Sequence, residues 1–251
     1  MLVANPGVGD ARVMNEAESL VAAGHSITVY CLAGCGFPAT ELVAGARYVR
    51  LPEWHSSASA TATPAPAGTF AWLKTAVVSL IQHELHSATF LEAVAAARPD
   101  IVHAHGLDTL PAAVRAAKRC GARVIYDMHE LEEGQLPAAA PLMVRWKTSL
   151  ERRYLRSVAA SIAVSPSTAS SKARKYNIPL PTVVLNAPCI SVTAPADSDP
   201  CARVRWQRQA RHLLEVYDAV ANSPRGLPAA MARRALATAL RPAAALIAGS
   251  L

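Results

Sequence analysis

Two short apolar runs, each closing on histidine-bearing polar residues and separated by one helix-like stretch, restrict this chain more than any other feature. Arg98-Pro-Asp-Ile-Val-His-Ala-His-Gly106 is followed about twenty residues later by Arg123-Val-Ile-Tyr-Asp-Met-His-Glu-Leu-Glu-Glu133. Ile101 and Val102 read as a buried strand opened by Pro-Asp, Arg123 to Tyr126 as a second, and Leu110 to Lys118 as the helix between them. That is a βαβ unit, whose strands must run parallel. In an open parallel sheet the residues just beyond the carboxyl ends of the strands line the ligand crevice, so His105 and His129 are expected to face a common site.

The rest of the chain repeats this alternation. Leu2 to Ala4 reads as the tail of a first strand, leading through Asn5-Pro-Gly-Val-Gly-Asp10 into a helix over Arg12 to Ala23 with apolar residues at Val13, Ala17, Leu20 and Val21. Gly24 stops it, and Ile27 to Cys31 is the second strand. Val49 to Leu51 is a short strand, Ser56 to Gly68 a loop rich in Ser, Thr, Ala and Pro, and Phe70 to Ala97 a long helical region ending at Arg98-Pro99. Pro141 to Ser157 reads as a basic helix, Ile162 to Val164 as a strand, Ser165-Pro-Ser167 as a helix start and Thr182 to Leu185 as the last strand. Such alternation predicts an α/β fold, a doubly wound parallel sheet with right-handed crossovers, over residues 1–190. A polar linker (191–203), an amphipathic helix (204–221) carrying Trp206, Leu213, Leu214 and Tyr217, and an Ala- and Arg-rich tail (222–251) without acidic residues complete the expected organisation.

Composition narrows the partners. With 52% hydrophobic residues among 251, the chain has ample material for a core, and a formal charge of +7 favours anionic partners, whether nucleotide diphosphates, acidic lipid head groups or nucleic acid, among which charge alone does not choose. Arg145, Lys147, Arg152, Arg153 and Arg156, with Trp146 and Tyr154, suit either a peripheral contact with a membrane surface or an ordinary solvated helix face. Five cysteines without zinc-like spacing argue against a disulfide framework and a structural metal; Cys31 and Cys35 are the one close pair. The chain lacks a run of membrane-spanning length and opens on a strand-like Met1-Leu-Val-Ala4, which places it in the cytoplasm.

Six stretches, in their order and spacing, resemble the N-terminal half of a GT-B-fold retaining glycosyltransferase of the family-4 type. They are Asp10-Ala-Arg-Val13, Ala23-Gly-His-Ser-Ile-Thr-Val29, Pro99-Asp-Ile-Val-His-Ala-His-Gly106, Tyr126-Asp-Met-His-Glu130, Val164-Ser-Pro-Ser167 and Val184-Leu-Asn-Ala-Pro188. The resemblance implies two Rossmann-like domains about a cleft, the N-terminal one holding the acceptor and the C-terminal one most of a nucleotide-sugar. It implies a glycan, lipid-linked or small-molecule acceptor, and neither a cofactor nor a nucleic-acid partner.

Under that resemblance His105 is the catalytic candidate, a strand-end imidazole reaching the transferred sugar or the acceptor hydroxyl. His103, two residues earlier and deeper in the sheet, reads as a satisfied core histidine. His129 and Glu130 are the acceptor-binding candidates, with Asp127 holding a neighbouring backbone or orienting an imidazole. Gly7 and Gly9 precede a helix N-terminus, where bare backbone favours a diphosphate or sugar passing close by; an ordinary turn is the competing reading. Ser165 and Asn186 line the cleft or serve as local caps. A metal site is disfavoured, because no close His and Asp ligand set is evident and enzymes of this type generally do not rely on one.

The resemblance stops near Pro188. Fewer than about seventy residues follow, too few for a second domain of ordinary size. Absent with it are the Arg and Lys pair that neutralises the leaving diphosphate and the Glu-bearing helix that grips the nucleotide ribose and donor sugar. Helix 204–221 resembles the far C-terminal helix that packs back on the N-terminal domain, so the expected pattern is a shortened enzyme with both flanks retained, served by a partner chain carrying the donor half. The alternative is a non-catalytic acceptor-binding or scaffolding module of the same descent. A nicotinamide-dependent oxidoreductase is disfavoured, since the first loop lacks the three-glycine fingerprint and no acidic residue ends the second strand.

Overall fold

The computed structural model describes residues 1–7, 9–34, 36–52, 87–128, 141–187 and 206–223. The Ser56 to Gly68 loop, His129, Glu130, the 191–203 linker and all but the first two residues of the tail lie outside them. Seven strands are described: β1 (Thr28–Leu32), β2 (Thr40–Val43), β3 (Ala46–Leu51), β4 (Ile101–His105), β5 (Arg123–Met128), β6 (Ala160–Ala163) and β7 (Thr182–Val183). Six helices accompany them: α1 (Ala11–Ala22), α2 (87–97), α3 (Leu110–Cys120), α4 (Pro141–Leu155), α5 (Pro166–Tyr176) and α6 (Trp206–Asn222).

Strands β4, β5, β6 and β7 lie side by side and parallel, with Ile101 opposite Arg123 and Ile125 opposite Ala160. On the other side β1 pairs parallel with β3. Leu2 joins the two groups through parallel bridges to Tyr30 and Ala104. Its N–H donates to the His103 carbonyl at 2.8 Å, and its own carbonyl accepts from His105 N–H at 3.0 Å. The spatial order is therefore β2, β3, β1, the Leu2 segment, β4, β5, β6, β7. It reverses between the Leu2 segment and β4, and such a switch point is where open α/β sheets place their ligands.

The doubly wound parallel sheet expected from the alternation is present, with one departure. Strand β2 is antiparallel to β3 and forms a hairpin through Ala44 and Gly45, both at positive φ (46° and 80°), as a two-residue type I′ turn requires. The short strand expected at Val49 to Leu51 is thus the end of a longer one. The pattern is hidden because Leu42 points outward, 73% exposed, so the edge strand lacks a clean apolar alternation.

Period-2 alternation divides the strands between two cores. Val102, Ala104, Val124, Tyr126 and Met128 face α2, α3 and α4, where they meet Phe90, Leu110, Val114 and Leu155. Ala112, Ala113, Ala116 and Ala117 are also buried, and these small side chains let α3 approach the sheet closely. The opposite face packs Val29, Ile125 and Ile162 against α1 and α6 through Val13, Leu20, Leu213 and Val216. His103, His105 and Asp127 occupy the alternate positions and so share this second face.

Helix α6 is fastened by polar contacts as well. Trp206 Nε1 donates to Ser19 Oγ at 2.8 Å, and Gln209 Oε1 accepts from Leu185 N–H at 3.0 Å. The Arg123 guanidinium donates to the carbonyls of Val220, Ala221 and Ser223 at 2.7, 3.0 and 2.9 Å, capping the negative end of the helix. Beneath α4, the Glu151 carboxylate accepts from Lys172 Nζ (2.7 and 2.9 Å), Tyr126 Oη (3.0 Å) and Tyr176 Oη (2.5 Å). Tyr154 turns into the core, so it does not join the exposed Arg152 and Arg153 as a membrane-facing aromatic. Among the described residues no helix is long and apolar enough to cross a membrane.

Candidate functional site

Because the strands are parallel, their carboxyl ends share one edge, and this gathers Gly7, Gly9, His105, Asp127, Ser165 and Asn186. The loop entering α1 is ordered by short polar bonds. Asp10 caps the helix by accepting from Val13 N–H at 3.2 Å, Asn5 Nδ2 donates to the other Asp10 oxygen at 2.9 Å, and Gly7 N–H donates to Asn5 Oδ1 at 2.7 Å.

The two glycines differ. Gly7 (φ 78°) is buried, and a Cβ there would lie 3.1 Å from the Tyr48 ring and 3.4 Å from Cys31 Cβ, so its missing side chain serves packing. Gly9 (φ 88°) is exposed, with nothing within 4 Å of where a Cβ would sit. Gly106 (φ 76°), just beyond β4, is half-buried but likewise has nothing within 4 Å of where a Cβ would sit, and its N–H donates to the Asp127 carbonyl at 3.0 Å. The site expectations omitted Gly106, although its place directly after His105 marks it as a strand exit.

Below this edge lies a buried polar cluster. Arg12, in the first turn of α1, grips Asp127 with two hydrogen bonds, Nε to Oδ2 at 2.6 Å and Nη2 to Oδ1 at 2.9 Å, and donates through Nη1 to the Val184 carbonyl at 2.8 Å. It also pairs with Glu16 Oε1 at 3.1 Å, one helical turn on. Glu16 Oε2 stands 3.7 Å from His103 Nδ1 and 3.8 Å from His105 Nε2, while His105 Nδ1 is 3.4 Å from Asp127 Oδ2. The two imidazoles stack with centroids 4.3 Å apart, and the Tyr217 hydroxyl of α6 meets His103 Nδ1 at 2.9 Å.

Burial governs the ionisation of this cluster. It raises Glu16 well above the usual carboxylate range; Arg12 opposes the shift and Asp127 adds to it. It likewise holds His103 well below the ordinary imidazole range, reinforced by His105, and pushes the Tyr217 phenol well up. For Arg12 burial acts against the charge, but Glu16 and Asp127 outweigh it and the guanidinium is held still more firmly protonated. His103 is therefore neutral at pH 7, beside an ionised Arg12.

These positions revise several expectations. The His105 imidazole does not face an open crevice: its side chain is 1% exposed, enclosed by Glu16, Asp127 and His103. Asp127 is fully buried and binds Arg12 rather than solvent. His103 is a core histidine with a partner, as its depth in the sheet suggests. Ser165 is the N-cap of α5, its Oγ accepting from Thr168 N–H at 3.1 Å, and Asn186 is exposed beyond β7. The argument against a close ligand set also fails, since Glu16, His103, His105 and Asp127 each bring one ligand atom to within 4.8 Å of the others. Arg12, Glu16 and Tyr217 carried no expected role. A signal existed for the first two: they sit four residues apart on the same stripe of α1 as Val13, Ala17 and Leu20, an odd place for charges on a helix that packs on a sheet.

The family described as the glycosyl transferase 4-like domain matches residues 9–189. No curated protein matches the chain in sequence. Two structures of sucrose-phosphate synthase from Thermosynechococcus elongatus share its fold, each at 13% identity. One aligns with a TM-score of 0.53 over 86% of this chain and 95% of its own, the other with 0.54 over 78% and 52%. The chain thus spans about half of the second structure.

Proposed function

The chain belongs to the glycosyl transferase 4-like family, and from that premise we propose that it forms the acceptor side of a hexosyl transfer from a nucleotide-sugar to a glycan, lipid-linked or small-molecule acceptor. The observation that carries this reading is the paired open backbone of Gly9 and Gly106 at the loops flanking the switch point, beside the N-terminus of α1. A sugar or phosphate can approach main chain there without meeting a side chain, and the free N–H groups of the first helical turn favour oxygen-rich, anionic ligands. His129 and Glu130, the two residues that follow β5 in sequence, are proposed to bind acceptor hydroxyls. His105 and Asp127 are proposed to act from below, fixing the ends of β4 and β5, because both are enclosed. Ser165 and Asn186 are proposed to border the cleft at the ends of β6 and β7.

Transfer also needs positive charge on the leaving diphosphate. Arg12 is committed to Asp127 and Val184, and Arg50 donates to Glu41 and to the carbonyls of Pro6 and Pro38. Neither is turned to an incoming phosphate. The donor grip is therefore proposed to come from a further domain or a partner chain, residues 1–190 being the acceptor domain and α6 its retained C-terminal helix. The same two commitments favour a second reading, an acceptor-binding module without turnover.

Titrating the purified chain with nucleoside diphosphates, nucleotide-sugars and oligosaccharides, while following hydrolysis, separates the readings. The first expects sugar binding that Gly9→Val abolishes, with transfer appearing when a donor domain is supplied; the second expects binding without transfer. Tight nucleotide-sugar hydrolysis by the chain alone would refute the acceptor-side assignment.

A further inference from the structure

The cluster beneath the open edge has a composition that the proposed sugar chemistry does not use. We propose that Glu16, His103, His105 and Asp127 bind one divalent transition-metal ion of the zinc class, clamped between α1 and the carboxyl ends of β4 and β5. The four residues each offer one ligand atom, and these atoms all lie within 4.8 Å of one another. Of the separations among them, Glu16 Oε2 to His105 Nε2 is 3.8 Å. A tetrahedral site with ligands about 2.0–2.1 Å from the ion spaces them about 3.4 Å apart, so closure on a metal draws Glu16 and His105 together by a few tenths of an ångström and the widest pair by up to about 1.4 Å.

Two further observations point to a cation. His103 Nε2 and the Glu16 oxygens are buried and make no hydrogen bond among the described residues beyond the ion pair of Glu16 Oε1 with Arg12, a rare condition for buried polar atoms. The cluster also sets two acids against one guanidinium, which Asp127 already holds in two hydrogen bonds. Burial disfavours the ionised form of Glu16, and a divalent ion bound there would stabilise it. Two imidazoles with two carboxylates suit zinc, cobalt or nickel far better than magnesium or calcium, which take oxygen shells. The Tyr217 hydroxyl meets His103 Nδ1 at 2.9 Å, which holds that ring from one nitrogen and leaves the other, Nε2, as its ligand atom.

The experiment uses the full chain, stripped with a chelator and titrated with Co2+ and then Zn2+. One Co2+ per chain is expected after gel filtration, with the intense visible absorption of a low-coordinate ion, displaced by Zn2+, and with paramagnetic shifts at the His103 and His105 ring signals. Zn2+ raises the thermal midpoint. Glu16→Gln and His105→Gln each weaken the metal at least about tenfold, whereas His25→Gln does not. A wild-type chain that takes up no ion, a Co2+ spectrum of the hydrated octahedral ion, or full binding by Glu16→Gln and His105→Gln overturns the proposal. Should the variants fail to fold, the Co2+ spectrum and ring shifts of the wild-type chain decide alone.

Discussion

Replacing Arg12 by alanine removes a buried cation that holds three segments together. Its guanidinium is 2% exposed, donates twice to Asp127 at 2.6 and 2.9 Å and once to the Val184 carbonyl at 2.8 Å, and pairs with Glu16 at 3.1 Å. Taking one partner from a buried ion pair costs about 3–5 kcal/mol, because the remaining charge stays desolvated and uncompensated. Here the Asp127 carboxylate is left so, and the upper half of that range is expected because the Val184 carbonyl loses its donor as well. For a chain of this length about 1 kcal/mol moves the thermal midpoint by roughly 2–4 °C, so the fall should be about 8–20 °C. Urea unfolding followed by circular dichroism measures the loss, and Arg12→Lys should recover part of it, since a point charge cannot reproduce the two-pronged grip. Without Arg12 the orphaned carboxylate takes up a proton in the fold, its folded pKa rises above the unfolded value, and stability falls as pH rises. The penalty should therefore be smaller near about pH 5 than near about pH 8. A loss below about 1 kcal/mol, the range of ordinary surface changes, would refute this account of the cluster.

Tyr217→Phe should cost about 1–3 kcal/mol by leaving His103 Nδ1 without its hydroxyl partner, and protease sensitivity of α6 should rise; no change in either would show that the Tyr217 contact does not fasten the helix. Lys172→Met should cost about 3–5 kcal/mol in urea unfolding, because Glu151 would keep only the two tyrosine hydroxyls in a buried site. Gly45→Ala should cost more than about 1 kcal/mol, since φ is 80° and the new Cβ would fall 2.7 Å from Val21 Cγ1; an unchanged midpoint would refute the I′ hairpin. Burial pushes Cys31 up from 9.0 to about 11 and Tyr48 from 10.0 to about 12. Both groups ionise earlier in the unfolded chain, so their contribution is complete below about pH 9 and lost as pH rises toward 12. Alkaline unfolding should begin in that window, with Cys31 alkylated slowly before it.

The legible parts of the molecule were those set by local periodicity. Strand β4, helix α3 and strand β5 fall where the Ile101, Leu110 and Arg123 runs place them, and Ser165 followed by Pro166 marks the start of α5 by its capping chemistry. Strand β2 was not legible, because a solvent-exposed edge does not impose apolar alternation. The candidate site was legible as an edge but not in its depth. His105 sits where its strand ends, yet whether the ring faces solvent depends on α1, which lies across it and is contributed by a segment about ninety residues earlier. Glu16 and Asp127 are more than a hundred residues apart in the chain, and no local pattern joins them.

What the residues alone decided is the alternation of strand and helix, the parallel sheet that follows, and the row of strand ends at which open sheets of this kind place their ligands. Hydrogen bonding, capping and apolar period act over a few residues, so they are written in short runs. The tertiary structure decided which strand-end groups are enclosed and which are open. Gly7 and Gly9 look alike in sequence, but Tyr48 packs on the first and nothing covers the second. His105 passes from an expected crevice residue to one wall of a closed polar chamber because Arg12 draws α1 down on Asp127. Desolvation and charge pairing at such a place depend on distance through space, and the packing of α1 and α6 on the sheet sets that distance.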